Sequence, residues 1–129
     1  MSTHKALTAI VDDDESVCRA IKRLVTSLGM EADTFTSGQA FIERIQAMPA
    51  RHVDCVILDV QMPEMSGLEV RRRMALLGRP IPIIFITAHY DLAAHEQALG
   101  AGAIAFLRKP FDDELLITTL GTALKQRAR

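Results

Sequence analysis

Apolar and polar positions alternate along the chain in five repeats of about 25 residues, each an apolar run followed by an amphipathic one. The first run, "ALTAIV" (6–11), precedes a helix over 16–28, where Val17, Ile21, Leu24, Val25 and Leu28 recur at helical spacing and Gly29 supplies the stop. The second, "MEADTF" (30–35), carries charges and reads as a less buried strand near a sheet edge, followed by a helix over 37–48 that ends before Pro49. "VDCVILD" (53–59) and "IPIIFIT" (81–87) are almost continuously apolar, the mark of strands covered on both faces of a parallel sheet. The spacing predicts helices over 66–77, stopped by Gly78 and Pro80, and over 91–99. A fifth unit pairs "AIAFL" (103–107) with a helix from 112 onward, bearing Leu115, Leu116, Leu120 and Leu124. Right-handed crossovers place a helix between successive parallel strands, so this order predicts an α/β fold with a doubly wound, five-stranded parallel sheet and five helices.

Composition narrows the class. A chain of 129 residues, 49% of them hydrophobic, suits one domain with one core. No apolar run approaches the ~20 residues a bilayer crossing needs, and "MSTHKAL" lacks the apolar stretch of a signal peptide, so a cytoplasmic protein without membrane contact is expected. Cys18 and Cys55 make no disulfide framework and read as small core residues. The net charge of −1 disfavours direct nucleic-acid binding. "RRR" at 71–73 does not change that, because consecutive helical positions point in different directions.

In doubly wound sheets, ligands collect at the carboxyl ends of the strands, beside the point where strand order reverses. Those ends carry Asp12 and Asp13, then Asp59, then Thr87, then Lys109. If the first and third strands are neighbours, Asp13 and Asp59 approach each other with Asp12 beside them. Two carboxylates at ~5 Å in an effective dielectric of ~20 repel by about 3 kcal/mol, so an offsetting charge is required. Mg²⁺, a hard cation that takes oxygen ligands, suits such a seat, and Mn²⁺ is an alternative. Asp59 ends a buried run and opens onto "VQMPEMSG", which makes it the candidate nucleophile for phosphoryl transfer. Asp14 and Glu15 stand where negative charge meets a helix N-terminus, with Asp14 or Ser16 as cap. Met62 and Met65 read as loop-packing residues, and His4, His52, His89 and His95 are scattered without zinc spacing. His89, two positions past Thr87, and Gln61, two past Asp59, could border the site and tune attack of water on an acyl phosphate.

"IVDDDESV", "VILDVQMPEMSGLEV", "IFITAH" and "FLRKPF", in this order and spacing, resemble the receiver domain of two-component response regulators, over essentially all 129 residues, and within that family the nitrogen-fixation regulator type. The resemblance implies a flavodoxin-like sheet of order 2-1-3-4-5 and a single receiver domain over 1–129, with any effector domain absent or removed. It implies that Asp59 accepts a phosphoryl group from a sensor histidine kinase. Asp13 and Asp59 would then ligate Mg²⁺ directly, Asp12 through water, and Gln61 through its backbone carbonyl, while Thr87 and Lys109 hold phosphoryl oxygens and the Lys109–Pro110 bond is cis. It further implies a switch in which Thr87 moves toward the phosphoryl group and Phe106, where many members have Tyr, rotates into the space vacated. The changed surface, on the fourth helix, fifth strand and fifth helix, would act on a DNA-binding effector domain in cis, on a protein partner, or in a phosphorylation-dependent homodimer.

Three rivals fit less well. A haloacid-dehalogenase-type phosphatase wants a second aspartate two positions past the nucleophile, where Gln61 stands. A flavin mononucleotide binder needs a phosphate-cradling loop where this chain has four acids. A degenerate receiver used only as an interaction module would not need Asp59, Thr87 and Lys109 together.

Overall fold

In the computed structural model, which describes residues 5–47 and 53–127, five strands and five helices alternate. The strands are β1 (Leu7–Val11), β2 (Glu31–Phe35), β3 (Cys55–Asp59), β4 (Ile83–Thr87) and β5 (Ala105–Arg108). The helices are α1 (Glu15–Ser27), α2 (Gly38–Ala47), α3 (Gly67–Leu76), α4 (Leu92–Gly100) and α5 (Asp113–Arg127). All strands pair in parallel, in the order β2-β1-β3-β4-β5. This is the doubly wound arrangement expected from the pattern, in the flavodoxin-like order that the family resemblance implies. His4, His52, Met48 and Pro49 lie outside the described residues.

The apolar runs are continuous because each central strand buries both faces. Leu7, Ala9, Val11, Val56, Leu58, Ile83 and Phe85 point into one core with Phe41, Val70 and Met74. Their alternates Ile10, Cys55, Ile57, Ile84 and Ile86 point into a second core with Ile21, Val25, Leu116 and Leu120. The period of two is therefore present but masked, since both sets are apolar. The two edge strands, β2 and β5, mix exposed and buried positions, as their places in the sheet require. Both cysteines are free and buried, and burial pushes the Cys55 thiol up to about 12. Among the described residues, no helix is long and apolar enough to cross a membrane.

Element limits differ from the pattern where the backbone has other commitments. β4 begins at Ile83, two residues into the apolar run, because Pro82 has no N–H for the ladder. β5 begins at Ala105 because the amide of Ala103 closes the end of α4 on the carbonyl of Ala98 (3.1 Å). Asp14 caps α1, its carboxylate accepting from the Ser16 amide at 2.9 Å, and Ser66 and Asp91 cap α3 and α4 in the same way.

Candidate functional site

Strand order reverses between β1 and β3, and their carboxyl ends meet there. Register pairs Val11 with Leu58 and Asp59 with Ile86, so the residues following β1 stand beside the end of β3. Asp12 is fully buried, Asp59 is 4% exposed, and Asp13 is exposed. One carboxylate oxygen from each lies within 4.8 Å of the others. Lys109, just beyond β5, reaches the same hollow: its Nζ is 2.7 Å from Asp12 Oδ2 and 3.6 Å from Asp59 Oδ1. The other oxygen of Asp12 accepts from the amide of Asp14 at 2.9 Å, which fixes the carboxylate where α1 begins. The Lys109–Pro110 peptide bond is cis.

Three carboxylates face one ammonium, and the imbalance falls on Asp59. Its burial, then the charge of Asp12, raise its carboxyl to about 7; a hydrogen bond with Asp13 adds to this and Lys109 opposes it. Burial works against the charge of Lys109, but its bonds to Asp12 and Asp59 outweigh that and hold the ammonium above its ordinary range. Three convergent hard oxygen donors, one of them exposed to solvent, fit Mg²⁺, which keeps several waters and needs few protein ligands. A pH dependence follows. In metal-free protein an unfolded Asp59 ionises near 4 while the folded one keeps its proton to about 7, so this group lowers stability as pH rises between those values. The same proton competes with metal, so Mg²⁺ is expected to bind on the order of 10- to 100-fold more weakly at pH 5 than at pH 8. Melting curves with and without millimolar Mg²⁺ check this: the metal-induced rise in Tm is expected at pH 8 and nearly gone at pH 5, and equal rises at both would contradict it.

Thr87, at the end of β4, is buried, and its hydroxyl belongs to a closed ring of hydrogen bonds. It faces two acceptors, Gln61 Oε1 at 2.5 Å and the carbonyl of His89 at 2.9 Å, and accepts from the amide of His89 at 3.2 Å. Gln61 Nε2 donates to the same His89 carbonyl at 3.2 Å. His89 thus takes part through its main chain rather than its imidazole. The loop between β3 and α3 is pinned by Val60, whose amide donates to Ile86 and whose carbonyl accepts from Gly67, both at 2.9 Å. Met62 and Met65 bury their side chains in the core below, as loop-packing residues.

Phe106 is half-buried on β5 and belongs to an aromatic cluster that the sequence does not announce. The His95 ring of α4 stacks on it at 4.7 Å and 11°, and Tyr90 meets it edge-on at 6.2 Å. Tyr90 Oη is 2.8 Å from His95 Nδ1, and the Arg108 guanidinium lies 4.9 Å over the Tyr90 ring. On its inner side Phe106 faces Phe85 at 6.3 Å. His95 and Arg108 carry no motif, and their proximity depends on the packing of α4 against β5.

Comparisons with known proteins agree with this geometry. A family model described as the response regulator receiver domain matches residues 8–121. The response regulator protein TmoT of Ectopseudomonas mendocina is 45% identical over 125 residues, covering 97% of this chain and 56% of that protein. The transcriptional regulatory protein FixJ of Bradyrhizobium diazoefficiens is 34% identical over 124 residues, covering 96% of this chain and 59% of that one. The chain therefore spans little more than half the length of these relatives. Among solved structures, a response regulator receiver protein from Burkholderia phymatum superposes with a TM-score of 0.84 at 54% identity, covering 94% of this chain and 96% of that one. The structure titled FixJ-N superposes at 0.82 with 32% identity, covering 97% and 96%. Receiver domains generally bind Mg²⁺ at an acidic pocket like the one formed by Asp12, Asp13 and Asp59. With this sheet order, this acidic hollow and these relatives, the chain belongs to the response regulator receiver domain family of two-component systems, with FixJ-type regulators among its relatives.

Proposed function

We propose that this domain takes a phosphoryl group onto Asp59 from a phosphohistidine of a sensor histidine kinase, and that the modified state redirects the α4–β5–α5 surface toward an output. The observation that carries the proposal is the convergence of a buried carboxylate, an ammonium and two further acids at the end of β3. A carboxylate oxygen of Asp59 attacks phosphorus as the phosphorus–nitrogen bond breaks, and the departing imidazole keeps the bond's electron pair. Lys109, already bonded to Asp12 and paired with Asp59, offers its remaining N–H bonds to the transferring oxygens. Asp12, Asp13, Asp59 and the Gln61 main-chain carbonyl would hold Mg²⁺, which would supply the remaining neutralisation of phosphoryl charge. A phosphatase of the haloacid-dehalogenase type is disfavoured, because the carboxamide of Gln61 is bonded to Thr87 and His89 and cannot shuttle a proton. Incubation with acetyl phosphate tests the proposal: a mass gain of one phosphoryl group is expected with Mg²⁺ and none in excess EDTA. Equal gain in both would overturn it.

The proposal extends to the switch. To bond a phosphoryl oxygen, the Thr87 hydroxyl leaves Gln61 and His89, and Phe106 moves inward only by leaving its stack with His95. Phe106 has no phenolic hydroxyl, so the signal it passes is one of shape. Because each ring bond contributes about 1 kcal/mol to the resting state, Gln61→Ala is expected to ease the transition by roughly fivefold. A titration with beryllium fluoride and Mg²⁺, followed by the Phe106 ring resonances, would show a midpoint about fivefold lower; an unchanged midpoint would contradict the restraining role. Gln61 and His89 also border the place from which water would reach an acyl phosphate, which assigns them to tuning its lifetime. The output is a DNA-binding effector domain in cis, a protein partner, or a phosphorylation-dependent homodimer, and the proposal assigns the exchange to the cytoplasm.

A further inference from the structure

A cavity lies away from the acids, between α3 and the turn from α4 into β5, over the start of β4. Its volume is about 680 Å³, within the range of small-molecule sites. Its floor is apolar: Met74 from α3 and Ile83 and Phe85 from β4, all buried. Two half-buried arginines, Arg71 and Arg79, line it, and no acidic residue does. Among the described residues, each guanidinium makes one hydrogen bond to a main-chain carbonyl, Arg71 to Ala101 at 3.3 Å and Arg79 to Ile45 at 2.8 Å. A guanidinium has five N–H donors, so both retain most of their capacity. Neither has a carboxylate partner among the described residues, in contrast to Arg72 and Arg73 on the same helix, which pair with Glu69 at 3.1 Å. The contrast matters because α3 uses the one acid in its first turn for its solvent face and leaves the cleft-side guanidinium without a counter-charge.

An apolar floor with two uncompensated guanidinium groups is complementary to a molecule that is apolar at one end and anionic at the other. We propose that the cleft binds a small amphipathic anion, an aromatic or short aliphatic body bearing a carboxylate or an isosteric acid group. Arg71 and Arg79 would receive the acid group, for which the planar guanidinium is the preferred bidentate donor. A second copy of this chain is the poorer occupant, since its net charge of −1 is small and the cleft is sized for a ligand rather than a helix face. The proposal is independent of Asp59, and its test needs neither metal nor phosphoryl donor.

Anilinonaphthalene sulfonate, an aromatic anion whose fluorescence rises on leaving water, is the probe. Titration of the whole chain is expected to saturate at one molecule per protein, with amide shifts concentrated at Met74, Ile83 and Ala103. The double variant Arg71→Gln, Arg79→Gln is expected to bind about tenfold more weakly or worse, as loss of charged hydrogen bonds predicts, while Arg72→Gln leaves binding unchanged. Should the double variant fold poorly, uncharged phenylnaphthylamine serves instead: it is expected to bind wild-type protein about tenfold more weakly than the sulfonate. Shifts centred on the exposed Leu92, Leu99 and Leu115, equal binding by the charged and uncharged probes, absence of saturation, or dimerisation through the cleft on sizing would each overturn the proposal.

Discussion

Asp59→Asn is expected to abolish phosphoryl uptake and, at the same time, to make the metal-free protein more stable. The carboxylate is nearly buried, stands beside the fully buried Asp12, and titrates at about 7 against an ordinary value of 3.8. At pH 8 the folded protein must hold that group charged, and each unit of such a rise corresponds to about 1.4 kcal/mol. Asparagine has nearly the same shape and no charge, so it relieves the repulsion from Asp12 and Asp13. Some of the gain is returned, because Lys109 loses its partner at 3.6 Å, although the closer bond to Asp12 survives. The net expectation is about 2 kcal/mol of added stability at pH 8 in EDTA, a rise in Tm of roughly 6–10 °C. The gain should shrink as pH falls below 7 and vanish only near pH 4, where Asp59 is protonated in the folded and the unfolded protein alike. A variant no more stable than wild type at pH 8 would mean that the three carboxylates do not repel as their geometry requires. Loss of activity joined to gain of stability marks a group kept for chemistry rather than for folding.

Gly67→Ala is expected to act in the opposite direction and as strongly. A Cβ at position 67 would lie 2.3 Å from the carbonyl oxygen of Asp59, 3.0 Å from its carbonyl carbon and 3.1 Å from Cα of Val60. All three are main-chain atoms of the segment that carries Asp59, so no side chain can rotate away. Either the start of α3 or the end of β3 must shift, and both are tied by the 2.9 Å bond between Gly67 and Val60. The cost is expected to be about 3 kcal/mol, at the upper end for an overpacked core, and displacement of Asp59 should slow phosphoryl uptake by on the order of 100-fold. Gly78→Ala is the control. Its backbone is left-handed, with φ of 69°, but nothing lies within 4 Å of the added carbon, so it should cost about 1 kcal/mol and leave uptake unchanged. Urea denaturation and a timed acetyl phosphate assay on the two variants check this, and similar losses in both would contradict the close approach.

The contrast between these glycines shows what a sequence reveals and what it withholds. "VILD" and "IIFIT" disclose central strands because burial on both faces leaves them apolar up to their last residue, and the acids are legible because Asp12, Asp13 and Asp59 directly follow or end such runs. Gly67 reads in sequence as a turn residue after Met65 and Ser66. Its close approach to Asp59 exists only once β3 and α3 are folded together. The ring joining Gln61, Thr87 and His89 closes across a sequence separation of 28, and the stack of His95 on Phe106 depends on how α4 settles against β5. That helix gives little pattern to read, since only Ala98 is buried in it while Leu92 and Leu99 remain exposed. The start of β5 was equally hidden, because Ala103 is as apolar as a strand residue but is used to finish α4. The cleft beside Arg71 was masked by "RRR", in which one guanidinium turns inward and two pair with Glu69.

The central claim is that Asp59, and no other group, takes the phosphoryl. Its most direct test is to treat the protein with phosphoramidate and Mg²⁺, reduce the acyl phosphate with borohydride, and locate the altered residue by peptide mass spectrometry. The account predicts one modified position, Asp59, and no modification when EDTA replaces Mg²⁺. Reduction product at Asp12 or Asp13, a label retained on a histidine, or full labelling without metal would contradict it.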